Sequence, residues 1–570
     1  MKSVRALREW RMTSLVILLG APALVVLAFG ACAASGDART PRRVLQRPAP
    51  PWEHQWSRGA VFYEVFVRSF ADSDGDGIGD LKGLTAKLDY LNDGDPATTT
   101  DLGVTALWLM PVFASPSYHG YDTTDYERIN PAYGTNEDFE TLCREAHRRG
   151  IRVILDLVIN HSGWDHPWFQ ASRSSESSPY RSWYVWRPDN PGWKQPWNVF
   201  GGADTWHRNE VDGHYYYGVF WKGMPDLNLT TPAVREEVKR LAALWLRRGA
   251  DGFRLDAARY LIETGPGFAQ ADTPETHAFW KEFATFVRRL KPDATLVGES
   301  WAETAVIAAY YGSTATVPEG DELPMCFNFP LGERILQAVR TGSADGIAAK
   351  YAEMARHYPA GVNDAPFLTN HDMVRLATQL DNNPGRLRTA ASILLTLPGA
   401  PFLYYGEEVG LQNGGTGSAD ELKRTPMPWD GSAGGGFTTG TPWHPFAPGR
   451  DTANVAVHTG NPSSLLSRYR ALIHTRNASE ALQKGNIHML TATSGYAPLL
   501  VFLRVAPGER VLVAHNLADS YITSSPLLAF DASGFDPLLV DPGVPVPTGT
   551  SGAWRLGAMP PRATGIWRLR

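Results

Sequence analysis

The sequence predicts an α/β fold: a (β/α)8 TIM barrel with an inserted subdomain after strand 3 and a C-terminal antiparallel β-domain. Three observations predict it. From Val61 onward eight short apolar runs alternate with amphipathic helical stretches, the pattern of parallel strands joined by helical crossovers. That alternation is interrupted once, between His161 and about Pro225, by a turn-rich stretch crowded with tryptophan from Trp164 to Trp221. After about Gly485 it gives way to short apolar runs punctuated by Gly and Pro, which read as antiparallel strands.

Taken in order, residues 1–32 read as an export signal. Lys2, Arg5, Arg8 and Arg11 precede a stretch from Met12 to Gly36 without a charged side chain, and small residues surround Cys32. Cleavage with lipid attachment at Cys32 and plain secretion are both open, as is an uncleaved anchor. An exported protein is expected, secreted, periplasmic or lipid-anchored at the cell envelope. Residues 33–57, with Pro41, Pro48, Pro50 and Pro51 among polar neighbours, read as a linker. The barrel is expected in two parts, 58–160 and 226–484, separated by the insert at 161–225, with the β-domain at 485–570.

The eight runs are Val61 to Val67, Val104 to Met110, Val153 to Val158, Gly252 to Leu255, Thr295 to Val297, Met325 to Phe329, Phe367 to Leu368, and Phe402 to Tyr404. Helices between them are well marked. Thr231 is placed to cap one that starts at Pro232, with Val234, Val238, Leu241 and Trp245 on one face and Gly249 at its exit. Phe279, Phe283, Phe286, Val287 and Leu290 follow helical spacing until Pro292.

A chain of 570 residues exceeds one compact core, so several domains are expected. A formal net charge of −5, more negative once the signal is removed, and no basic cluster interleaved with aromatics argue against nucleic acid as a partner. The 19 Trp, 21 Tyr and 23 Phe offer flat apolar faces on which sugar rings stack. Beyond Cys32, Cys143 and Cys326 are too few for a disulfide framework and read as buried thiols. A monomer is expected.

In a closed barrel the catalytic groups come from the carboxyl ends of strands. Here polar residues collect at four such ends: Asp156 to Asn160-His161 after the third, Arg254-Leu-Asp256 after the fourth, Glu299 after the fifth, and Thr369-Asn-His371-Asp372 after the seventh. Buried strands have no packing reason to end in clustered charge.

In this order these segments resemble the conserved regions of the α-amylase family, glycoside hydrolase family 13, over residues 60 to about 480. The resemblance implies cleavage or transfer of α-glucosidic bonds with retention, with Asp256 as nucleophile, Glu299 as acid/base and Asp372 as transition-state stabiliser. Retention requires one carboxylate to attack the anomeric carbon and a second, about 5–5.5 Å away, to protonate the leaving oxygen. Arg254, two residues before Asp256 on the same strand, shares its face. His161 and His371 resemble histidines that bind hydroxyls of the sugar being cleaved. Tyr121 and Asp122 resemble the platform and carboxylate beneath it, and Arg375 matches an arginine that pairs with that carboxylate and narrows the pocket toward exo-type action.

The segment Asp72-Ser-Asp74-Gly-Asp76-Gly-Ile78-Gly-Asp80 alternates carboxylates with flexible glycines, a pattern suited to Ca2+, a hard cation that takes oxygen ligands. An EF-hand is excluded because its twelfth position would be Gly83. The segment resembles instead a calcium loop after the first barrel strand of this family, with Asp80 and the Ile78 carbonyl completing the site. Asn160 matches a ligand of a second family calcium site, where Tyr260 replaces the usual His.

Met224-Pro-Asp-Leu-Asn228 resembles the marker of a branch between oligo-1,6-glucosidases and neopullulanases that includes lipid-anchored bacterial α-amylases, whereas Arg424-Thr-Pro-Met-Pro-Trp429 resembles the α-glucosidase side. The expected function is therefore retaining hydrolysis of α-1,4-glucosidic bonds in starch, maltodextrins or maltooligosaccharides. The alternatives are an α-glucosidase or oligo-1,6-glucosidase, a neopullulanase-like enzyme, and a transglycosylase. A membrane-anchored, non-catalytic relative is disfavoured because such proteins lack the carboxylates retained here.

Overall fold

The computed structural model describes residues 50–570 apart from 54, 316, 491–496 and 524. The export-signal and Cys32 readings, and most of the expected linker, lie outside these residues. The end of that linker is packed and not a free tether: Trp52 is buried, the Glu53 N–H donates to the Pro292 carbonyl at 2.8 Å, and the Trp56 indole donates to the Asp293 carbonyl at 2.8 Å. Trp52 leaves water here and Trp56 is half-buried, and the fold begins with them.

Eight parallel strands form the barrel: Phe62–Val65, Ala106–Leu109, Arg152–Leu157, Gly252–Leu255, Thr295–Gly298, Met325–Phe327, Asn363–Ala365 and Phe402–Tyr404. The first pairs with both the second and the eighth. Closure between seventh and eighth is made just beyond the seventh strand, where the Phe402 N–H donates to the Pro366 carbonyl at 2.9 Å and Phe367 bridges Phe402 in parallel. Side chains fill the lumen, among them Phe62, Trp108, Ile154, Val297, Met325, Phe327 and Phe402, with Phe62 stacked on Phe402 at 4.2 Å. It is a packed core and not a pore.

The seventh strand departs from its expected position at Phe367 to Leu368. It consists of Ala365 and the polar Asn363 and Asp364, whose side chains find buried partners: Asn363 donates to the Ser57 carbonyl at 3.2 Å, and Asp364 accepts from Asn328 at 2.8 Å. Pro366 has no N–H to give, but its carbonyl accepts from the eighth strand and the pairing runs on to Phe367.

The crossover helices carry the expected punctuation. Pro232–Arg247 begins at its proline, buries Val234, Val238, Leu241 and Trp245, and is left through Gly249 at a φ of 115°. Thr231 holds the N-cap position without capping, because its hydroxyl donates to the Ser182 carbonyl of the insert at 2.6 Å. Cys143 and Cys326 are free and buried.

The insert holds a helix, Pro167–Ser174, and a small antiparallel sheet in which Tyr215–Tyr217 lies between Trp186–Arg187 and Trp206–Arg208. Its aromatics form its own core, with Phe169 against Tyr184 and Tyr216 at 4.9 Å each. At the other end, a five-stranded antiparallel sheet between Asn486 and Leu569, with a two-stranded ribbon of Thr548–Thr550 and Ala553–Arg555, builds the C-terminal domain. Buried Arg504 fastens it to the barrel, donating to the Thr396 carbonyl at 2.6 Å.

Candidate active site

A single buried cation organises the floor of the barrel mouth. Arg254, 1% exposed, points its guanidinium at three carboxylates from three adjacent strands. Nη1 donates to Asp156 at 3.0 Å and to Asp256 at 2.5 Å, and Nη2 lies 2.8 Å from Glu299. The width of one guanidinium therefore separates the carboxyls of Asp256 and Glu299. The second Glu299 oxygen accepts the Ala257 N–H at 2.9 Å. Ala257 adopts a φ of 49°, an uncommon left-handed conformation for a residue with a side chain, and this turns its N–H toward Glu299. Burial raises the Glu299 pKa; Arg254 opposes that, while the negative charges of Asp256 and Asp372 add to it.

Across the pocket, Asp372 sits between two cations. Its Oδ2 is 3.1 Å from His371 Nε2 and its Oδ1 accepts from Arg424 Nη2 at 3.0 Å. Burial pushes its pKa up, but His371 and Arg424 outweigh this and hold the carboxyl well below the usual range. His371 also faces Glu64 through Nδ1 at 2.6 Å, and the Tyr121 hydroxyl lies 2.6 Å from its Nε2. Burial alone would lower the His371 pKa; with acceptors at both ring nitrogens, Asp372 and Glu64 instead raise it to about 9, so the ring is a cation at neutral pH. His161 is its opposite. Its Nε2 donates to the Tyr121 carbonyl at 3.2 Å, its Nδ1 faces the Asn160 amide at 3.3 Å, and burial lowers its pKa. One histidine is charged and one neutral on the two sides of Tyr121.

These groups line a cavity of about 320 Å3 formed by His119, Tyr121, His161, Asp256, Glu299 and Asp372, with Phe220, Trp221 and Met224 from the insert and Asp420 and Arg424 from the loop after the last strand. A model of the α-amylase catalytic domain matches residues 64–485. The chain belongs to the α-amylase family of glycoside hydrolases. It is 40% identical over 472 residues, 82% of this chain and 86% of the relative, to alpha-amylase 3 of Dictyoglomus thermophilum. It is 36% identical over 516 residues, 82% of this chain and 88% of the relative, to a trehalose synthase of a Pimelobacter species. The crystal structure of the alpha-amylase from H. orenii superposes with a TM-score of 0.77 at 37% identity, covering 90% of this chain and 100% of that one. Glycosidase chemistry on α-glucans follows from this membership.

Two residues expected at the substrate lie elsewhere in this family member. Arg375 is buried, donates to the carbonyls of Lys423 and Tyr405 at 2.7 Å each, and stacks over Tyr404 and Tyr405 at 4.2 and 4.5 Å. Asp122 accepts the hydroxyls of Ser115, at 2.6 Å, and Ser117. It lines a neighbouring cavity and not the catalytic one. The expected Asp122–Arg375 pair is not formed, because the Lys423 and Tyr405 carbonyls draw Arg375 away and the serine hydroxyls hold Asp122. The arginine that enters the pocket is Arg424, and its neighbour Asp420 stands at the mouth, 2.7 Å from Lys423 and 3.5 Å from Arg424. Glu64 and Arg424 were not singled out as site residues from sequence, and Asp156 was named only among the polar residues at the strand ends. For Glu64 a signal existed: a lone carboxylate inside the apolar run Phe62 to Val67.

The acidic loop after the first strand folds around its own carboxylates. Asp72 accepts the N–H groups of Asp74, Gly75 and Gly77 at 3.0, 2.8 and 2.8 Å, with Gly75 and Gly77 at positive φ of 85° and 92°. It also takes the Thr438 hydroxyl at 2.5 Å. Burial raises the Asp72 pKa, but Thr438 and these N–H groups outweigh it and hold the carboxyl below its ordinary value. One oxygen from each of Asp72, Asp74 and Asp80 lies within 4.8 Å of the others. Three converging carboxylates suit a hard divalent cation. Asp76 stands outside this group, its carboxylate accepting the Ile78 N–H at 2.7 Å. At Asn160, the amide donates to Asp226 at 3.1 Å.

Proposed function

We propose that this enzyme hydrolyses α-1,4-glucosidic bonds of starch, maltodextrins and maltooligosaccharides with retention, as an α-amylase. The observation that carries the reading is the placement of Asp256 and Glu299 at the two ends of one buried guanidinium, opposite Asp372. Asp256 attacks the anomeric carbon, forming the C1–O bond of a glycosyl ester as the glycosidic C1–O bond breaks. Glu299 gives its proton to the departing oxygen. Glu299, now ionised, takes a proton from water, whose oxygen bonds to C1 and releases Asp256. Arg254 lies against both carboxylates throughout and so steadies the charge that passes between them. Asp372, kept ionised by His371 and Arg424, accepts hydroxyls of the flattening ring. His371, His161 and Tyr121 bind the same sugar.

The similarity to a relative named an alpha-amylase supports the α-1,4 choice, as does the missing Asp122–Arg375 pair, which removes that argument for exo action. The trehalose synthase relative favours one second reading, transfer of the glycosyl unit to a sugar hydroxyl in place of water. The amino-terminal sequence supports export, with Cys32 as a site for lipid attachment. Asp72, Asp74 and Asp80 would hold Ca2+, joined by Asp76 and the Ile78 carbonyl. The ion would neutralise their mutual repulsion and brace the loop.

A chromatographic product profile on starch, pullulan, isomaltose and maltooligosaccharides tests the reading. Maltose and longer maltooligosaccharides from starch are expected. Glucose from isomaltose with starch untouched would overturn it, and products longer than the substrate would select the transfer reading.

A further inference from the structure

A second cavity, about 720 Å3, opens in the insert beside the catalytic pocket, and the two share Trp221 as a wall. This volume lies in the range that holds small organic ligands, about 300–1,000 Å3. Trp221 is 48% exposed. Its ring lies so close over Gly223 that a Cβ there would run into the indole, so the absence of a side chain at 223 sets the height of the partition. Trp164 and Trp206 supply further aromatic surface within the cavity. Trp206 is 3% exposed, and its indole N–H has no acceptor among the described residues.

The polar groups of this cavity narrow the ligand class. Asp204 is neutralised by Lys194 and Glu210 by Arg208, both at 2.7 Å, so the lining does not concentrate negative charge for a metal ion. Lys222 and Arg208 stand among carboxylates, so it does not concentrate positive charge for a phosphate either. Asp165, exposed and lining the cavity, has no hydrogen-bond or ion-pair partner among the described residues. What remains is an uncharged ligand with hydroxyls that both donate and accept and with C–H faces to lay on aromatic rings, whose faces carry partial negative charge. The catalytic pocket next door takes such a molecule.

We propose that the insert cavity binds a short run of glucosyl units of the same α-glucan, across Trp221 from the bond being cleaved, and so favours long chains over short ones. The inference rests on the α-1,4-glucan reading above. Trp221 and Trp164 form stacking surfaces, and Asp165 accepts sugar hydroxyls.

The test is kinetic and uses the whole enzyme. Asp165→Ala alters an exposed side chain and leaves the insert core intact; Trp164→Ala removes an aromatic face. Wild type and both variants are assayed on soluble starch and on p-nitrophenyl α-maltoside, which is too short to reach both cavities. Each variant is expected to lower kcat/KM on starch by about tenfold, the scale of one lost aromatic contact or hydrogen bond, and to leave the maltoside within about twofold. Equal losses on both substrates, or starch activity unchanged in both variants, would overturn the inference. Wild-type enzyme inert toward both substrates would instead overturn the α-1,4 reading, and this inference with it.

Discussion

The floor and the rim of the pocket are built in opposite ways. On the floor, Asp256, Glu299 and Asp156 ride on strand ends packed from both sides, and Arg254 holds all three. At the rim, Asp420 and Trp221 sit on long connections and are about half exposed, at 47% for the Asp420 side chain and 48% for Trp221. On the proposed function, the buried charges in fixed geometry set the stereochemistry of cleavage, and the loops carrying exposed rings and charges set how much of the chain is gripped. A change on the floor should therefore act on turnover, and a change at the rim on substrate preference.

The sharpest way to break this contrast is Glu299→Gln, which keeps the shape of the floor and removes its acid. Turnover should fall by roughly 10²–10⁴-fold with the melting temperature little changed. Near-normal turnover would move the acid/base role elsewhere. His371 tests whether the floor also supports the fold. Its pKa of about 9 lies above the ordinary 6.5, so the protonated ring contributes stability that is complete below about 6.5 and fades as the pH rises through about 9. Denaturant titrations from pH 6 to 10 should show about 3 kcal/mol lost over that window, and less in His371→Gln. A flat profile in wild type would mean the ring is neutral.

Chelation probes the foundation of the rim, because the acidic loop is clasped to the segment after Arg424. If the loop holds calcium, removing the ion should cost about 2.7 kcal/mol relative to calcium at about 100 Kd, read as a lower melting temperature. An unchanged melt in chelator would count against the site. Smallest is Asp420→Ala, an exposed pair at the mouth, for which kcat/KM should shift by less than about fivefold. A loss comparable with that of Glu299→Gln would erase the distinction between floor and rim.

Legibility in the sequence followed the same division. Floor residues were readable because strand ends in apolar runs leave few places for charge: Asp256, Glu299, Asp372, His161 and Tyr121 line one pocket, and Arg254 and His371 contact its carboxylates from behind. The seventh strand was hidden because Asn363 and Asp364 look like a loop until Ser57 and Asn328 arrive from elsewhere to satisfy them. Arg375 misled for a related reason: spacing placed it near Asp372, but not the carbonyls of Lys423 and Tyr405 that draw its guanidinium away. Arg424, which does reach Asp372, is 52 positions distant, and no local pattern connects the two. Asp122 was read as a substrate carboxylate without the serines that hold it.

The clasp between Asp72 and Thr438 joins residues 366 positions apart, at the two ends of a barrel whose first and last strands are neighbours. At translation rates of about 5–20 residues per second, Asp72 leaves the ribosome roughly 20–70 s before Thr438 exists. Throughout that interval the acidic loop lacks its last partner. Asp72 gains the Thr438 hydroxyl only once the segment beyond the eighth strand has been made and has reached the loop, so the clasp ties the start of the barrel to its end, and a chain truncated before residue 438 would lack it.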